Sequence, residues 1–222
     1  MERAISGCVE NHLVVEGSMQ TLIRESIANT ITVMQTALED SHLISQIETA
    51  GNLCVAALQS GKKIMLAGNG GSAADSQHIA AELVSRLNYD RPGLSAVALT
   101  TDTSALTAIG NDYGYDRVFA RQLEAIGQEG DVLIAISTSG NSANILAVLE
   151  AARTRQIKTI GLTGKSGGRM NTACDITLKM PSSFTPNIQE CHIMFGHILC
   201  QIIEDSIFGK EYRPKPAKAC AV

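Results

Sequence analysis

The stretch Asp131-Val132-Leu133-Ile134-Ala135-Ile136-Ser137-Thr138-Ser139-Gly140-Asn141-Ser142-Ala143-Asn144-Ile145 decides the fold. An unbroken apolar run, Val132 to Ile136, opens into Ser137 to Ser142, and a helical pattern follows. A short run that is apolar on both faces belongs to a strand covered from both sides. The loop after it has no acid, base or bulky side chain. It therefore offers a ligand hydroxyls, backbone N–H groups and the positive end of a helix dipole, which together suit an anion. Earlier in the chain Lys63 to Ala67 reads as a strand and leads into Gly68, Asn69, Gly70, Gly71 and Ser72 and then a long helical pattern. Two such loops indicate a phosphorylated, hydroxyl-rich ligand.

Simpler readings of these loops stand beside that one. A Gly-rich strand-to-helix turn can be only a tight turn needing positive φ. Asn141 beside Gly140, with Ser142 ahead of Ala143, makes a turn and a helix cap, and Ser72 with Asp75 makes a capping pair. Gly68, Gly70 and Ala73 satisfy the dinucleotide fingerprint, but the acidic ribose partner is missing: Asp90 precedes the second strand and Asp102 lies too far on. No GxxxxGK[ST] sequence occurs.

Outward from these loops, strand candidates at 63–67, 95–99, 132–136, 158–162 and 175–180 alternate with helical patterns. Alternation of this kind predicts an α/β fold, a three-layer αβα arrangement on a five-stranded parallel sheet, with both loops at the C-terminal edge of the strands. Residues 1–60 read as two helices belonging to the same domain, 61–208 as the α/β unit, and 209–222, with Pro214 and Pro216, as a mobile tail. The last helix is expected to begin near 187–190. The terminal helices have apolar stripes wide enough to serve a partner subunit, so a homo-oligomer is expected.

Composition narrows the function. The 222 residues are 45% hydrophobic and 18% charged with a formal charge of −4, and the basic residues are scattered, which argues against direct nucleic-acid binding. Met1 to Val15 has no continuous apolar region, so neither a secretory signal nor a membrane anchor is expected, and the expected compartment is the cytoplasm. The six cysteines, at 8, 54, 174, 191, 200 and 220, form no CxxC pair and read as free thiols.

His78 and Glu82 are four apart and share a helix face beside the first loop. The pair suits a divalent metal such as zinc, or a carboxylate base oriented by a histidine, or simply a solvated helix pair. In the last helix Gln189, Glu190, His192 and His197 interrupt an apolar run; His197 could equally be a hydrogen-bonded core histidine, and His192 lies on a different face.

Taken together, Gly68 to Ser72, His78 to Glu82, Gly110-Asn111-Asp112, Ser137 to Ser142, Leu162-Thr163-Gly164-Lys165, and Gln189-Glu190 through His197 resemble the sugar isomerase (SIS) domain family, specifically the phosphoheptose isomerases. The resemblance runs from the first helices to about Phe208. It implies a flavodoxin-like SIS fold and a homotetramer, assembled through the N-terminal helices, with active sites between subunits. It also implies one zinc per subunit on residues matching His78, Glu82, Gln189 and His197, and substrate contacts matching Asn69, Gly70, Gly71, Ser72, Glu82, Asn111, Asp112, Ser137, Thr138, Ser139, Ser142 and Gln189. The implied reaction is isomerisation of sedoheptulose 7-phosphate to D-glycero-D-manno-heptose 7-phosphate through an enediolate, supplying heptose precursors such as those of lipopolysaccharide, with Glu82 and His197 as the acid–base pair. Gln189 and His197 are eight apart, about 12 Å along a continuous helix. Convergence on one ion therefore calls for an irregular helix start after Pro186 or for ligands from different subunits. Pro186 and Asn187 depart from the family, where an acidic and a basic residue are common. The alternative is a non-catalytic SIS scaffold that binds the replication initiator; that paralogue lacks the residues matching Glu82 and His197, and this chain has both.

Overall fold

The computed structural model describes residues 16–212. Cys8, Cys220, the N-terminal segment to Val15 and most of the expected tail lie outside those residues. Two helices, α1 (Glu16–Glu39) and α2 (Ser41–Gln59), lead into the first strand, β1 (Ile64–Gly68). Asp40 separates the helices for a local reason: its carboxylate accepts the N–H groups of His42 and Leu43 and caps α2. There follow α3 (Gly71–Val84), β2 (Ala96–Ala98), α4 (Thr103–Tyr113), a 3-10 turn (Tyr115–Arg117), α5 (Val118–Ile126), β3 (Val132–Ile136), α6 (Ala143–Thr154), β4 (Lys158–Thr163), α7 (Met170–Ala173), β5 (Ile176–Lys179) and α8 (Thr185–Phe208).

All strand pairs are parallel and the order is β2-β1-β3-β4-β5, the expected five-stranded α/β sheet. Period-two alternation splits the strands between two cores. Ile64, Leu66, Ile134, Ile160 and Leu178 pack with α2, α3 and α8, while Met65, Ala67, Leu133 and Ala135 pack with α5 and α6. The order reverses between β1 and β3, and the crevice at such a switch point is where α/β sheets bind ligands. Both small-residue loops flank that crevice.

α8 begins earlier than the polar run suggests, at Thr185, because Pro186 falls at the start of the helix, where its missing N–H costs nothing. Asn187, one of the two departures from the family pattern, is buried and donates to Thr30 Oγ1 and Glu190 Oε2, both at 3.0 Å. Thr30 donates to the same Glu190 oxygen at 2.8 Å, so the network ties α1 to the start of α8.

Glycines let α8 pack closely. A Cβ at Gly196 would stand 2.6 Å from Ile79 Cδ1, and one at Gly51 would stand 2.7 Å from Ile202 Cγ2. The first close approach brings α3 and α8 together along parallel axes, Gly71 beside Gln189 and His78 beside His197. At their far ends Glu204 accepts the N–H groups of Leu87 and Asn88 and the Arg91 side chain. Arg91 in turn donates to the carbonyls of Glu82 and Leu83, closing the C-terminus of α3. Among the described residues no helix is long and apolar enough to cross a membrane.

Candidate active site

His78 and Glu82 lie one turn apart on α3, and the parallel packing of α8 sets His197 against them. His78 Nε2 is 3.1 Å from Glu82 Oε1 and 3.0 Å from His197 Nε2, and His197 Nε2 is 3.5 Å from Glu82 Oε1. The two rings meet edge to face, with centroids 5.2 Å apart. Both histidines are open to solvent, whereas the Glu82 side chain is only 14% exposed, its Oε2 is buried, and the buried Cys200 thiol lies beside the carboxylate. One donor atom from each residue lies within 4.8 Å of the others. Three electron-pair donors converge here with too few protons to satisfy them, a donor set that fits a divalent cation. Asp75, one turn before His78, also has a buried unpaired oxygen, and burial raises its carboxyl above the usual range against the nearby imidazoles.

The first loop ends in Gly70, whose φ of +56° suits glycine, and no side chain caps α3. Ser72 is inside the first turn of α3 and buried, so it does not form a capping pair with Asp75. Gly71 has no room for a side chain because a Cβ there would stand 2.5 Å from Gln189 Nε2. Gln189 thus faces the glycine loop from a regular turn of α8, and an irregular helix start does not carry it toward His197. The Asn69 amide pairs reciprocally with Asn144 on α6, at 2.9 and 2.8 Å, and accepts the Tyr115 hydroxyl at 3.2 Å. That pairing spans the crevice and ties the two loops together.

In the second loop Ser137 Oγ lies 3.0 Å from Ser142 Oγ and 3.5 Å from Ser139 Oγ. Ser142 precedes α6 without a side-chain cap bond, so its hydroxyl serves the loop and not the helix. The Thr138 carbonyl accepts the Gly164 N–H at 3.0 Å, which holds this loop against the end of β4. Asn111 and Asp112 are exposed in the last turns of α4 and are hydrogen-bonded to each other at 2.7 Å; no hydrogen bond ties them to either loop among the described residues.

A SIS domain model matches residues 24–164. Phosphoheptose isomerase 2 of Campylobacter jejuni is 54% identical over 198 residues, covering 89% of this chain and 98% of that protein. The chain belongs to the phosphoheptose isomerase family of SIS-domain proteins. The phosphoheptose isomerase of Burkholderia pseudomallei is 53% identical over 197 residues, covering 89% of this chain and all of its own length. The solved phosphoheptose isomerase of Neisseria gonorrhoeae superposes with a TM-score of 0.79 at 44% identity, over 84% of this chain and 99% of its own. Within that family frame, several residues that shape the site carry a weak sequence signal. Gly196 could have been noticed as a lone glycine in an apolar helix; Asn144, Tyr115 and Arg91 offer no local pattern at all.

His192, by contrast, stays out of the site. It is fully buried, with the Thr163 backbone beside its ring, and burial pushes its pKa down to about 4.

Proposed function

We propose that this chain is an aldose–ketose isomerase that converts sedoheptulose 7-phosphate to D-glycero-D-manno-heptose 7-phosphate. The observation that carries the reading is the His78–Glu82–His197 cluster at the same sheet edge as two loops suited to a phosphate and its polyol chain. Its close relatives are named phosphoheptose isomerases. The replication-initiator scaffold is the weaker reading because Glu82 and His197 converge here.

Ser137, Thr138, Ser139 and Ser142 bind the phosphate with hydroxyls and N–H groups. Asn69, Gly70, Gly71, Ser72 and Gln189 line the approach to the reacting end, with Asn111 and Asp112 meeting sugar hydroxyls. A base removes a proton from C1 of the ketose, leaving an enediolate; a proton passes between O1 and O2, and C2 receives one to give the aldose. Glu82 and His197 form the acid–base pair, with the Glu82 side chain only 14% exposed. His78, Glu82 and His197 would hold zinc, with Gln189 of a neighbouring subunit as the fourth donor, and the ion when bound supplies Lewis acidity toward the carbonyl and hydroxyl oxygens. A bound ion would lower the basicity of Glu82, and Asp112 is the other carboxylate that could move the proton.

A cytoplasmic homotetramer with sites between subunits is part of the same reading. Met19, Leu22, Ile23, Ile27 and Ile31 make an exposed apolar stripe on α1, which supports an assembly role for the N-terminal helices. Incubation with sedoheptulose 7-phosphate in deuterated water, with zinc or with a chelator, tests the reaction. Zinc-dependent heptose 7-phosphate carrying deuterium at C2 is the expected product; neither turnover nor exchange from folded, zinc-loaded protein would overturn the reading.

A further inference from the structure

The loop assigned to the phosphate has no charge of its own, since Ser137 to Ser142 contains no ionisable side chain. A bound phosphate monoester carries about −1.5 to −2 charges, and hydroxyls satisfy its oxygens without balancing that charge. The connection from β4 to α7, Gly164 to Arg169, is fastened directly to this loop. Gly164 N–H donates to Thr138 O at 3.0 Å, Arg169 N–H to Asn141 Oδ1 at 3.0 Å, and Met170 N–H to Gly140 O at 3.1 Å. Left-handed φ angles at Gly140, Gly167 and Gly168, +65°, +73° and +52°, permit that contact, and the Gly167 carbonyl stands where a side chain on Gly140 would go.

Beside the junction is a cleft of about 280 Å³ lined by Thr138, Ser139, Asn141, Lys165, Ser182 and Ser183, among others, and Lys165 is the one charged residue in that lining. The Lys165 N–H donates to Ser182 O at 2.9 Å, fixing the backbone, while its ammonium enters no ion pair among the described residues. A lysine left unpaired next to a neutral hydroxyl loop, in a chain of net charge −4, is placed to attract an anion into it. We infer that Lys165 supplies the countercharge for the phosphate group held by the Ser137–Ser142 loop, and that it draws phosphorylated substrates to the site. The inference rests on the isomerase reading only for the identity of the sugar.

Calorimetric titration of the full chain with inorganic phosphate at low and high salt tests it. Lys165→Gln is expected to weaken phosphate about tenfold at low salt, the scale of one charged hydrogen bond, and to flatten the salt dependence. Lys165→Arg should restore most of the affinity, and Arg153→Gln, the same charge change on the far part of α6, should bind as the parent does. In turnover the expected signature is a raised KM with little change in kcat. Equal phosphate affinity and salt dependence in Lys165→Gln, or equal weakening by Arg153→Gln, would overturn the inference. Lys165-dependent phosphate binding without isomerisation would instead sink the isomerase reading and leave Lys165 as an anion anchor.

Discussion

Glu82 has two oxygens in different situations, one facing two imidazole nitrogens and one buried. Glu82→Gln keeps the volume and removes the basicity, so solvent-proton exchange into product should fall by at least about 10²-fold while the circular dichroism spectrum is retained. Exchange at the parent rate would take Glu82 out of the base role and move attention to Asp112. His192 tests a different property, stability. Its folded pKa of about 4 lies below the 6.5 of an unhindered imidazole, so between those values the unfolded chain binds the proton and the folded chain does not. Stability is therefore full above about pH 6.5 and falls as pH drops toward 4, by up to roughly 3 kcal/mol. His192→Phe, which fills the buried space without a titratable ring, should flatten that slope in urea unfolding at pH 7 and pH 4.5. An unchanged slope would mean that other groups carry it.

Elements meet here through glycines, and the cost of filling them is directional. A methyl at Gly196 pushes on Ile79, one residue from His78, so Gly196→Ala should lower stability by about 1–3 kcal/mol and also spread the triad. The expected readout is weaker zinc binding together with a lower Tm. Adding Ile79→Val should recover part of both, because it removes Cδ1, the nearer of the two clashing atoms. If zinc affinity stays at the parent value while Tm falls, the α3–α8 approach does not set the site. Some element positions were legible beforehand: strands with continuous apolar runs were found within a residue or two, because burial on both faces leaves no other reading for runs that short. The start of α8 was less legible, since Pro186 reads as a breaker until the structure puts it at the helix N-terminus.

The whole molecule leaves a long apolar stripe on α1 uncovered, with Leu22 63% and Ile31 62% exposed. Stripes of that kind are rarely left to water in soluble proteins. On the proposed tetramer reading, replacing Ile23 and Ile27 together with lysine should give smaller species in light scattering, and should abolish isomerisation if the sites lie between subunits. A double variant that keeps the parent mass would separate α1 from assembly.

Sequence alone determined the parallel α/β sheet, the two anion-suited loops at its C-terminal edge and the family's residue set, because each depends on local patterning: apolar runs, small-residue turns and fixed spacing along a helix. Tertiary structure decided which of those residues meet. His197 joins His78 and Glu82 only because Gly196 lets α8 lie against α3, Gln189 faces Gly71 because the helix continues unbroken from Thr185, and Asn69 is held by Asn144 across the sheet crevice. Contacts between residues far apart in the chain depend on how two helices register, and no local pattern encodes that register.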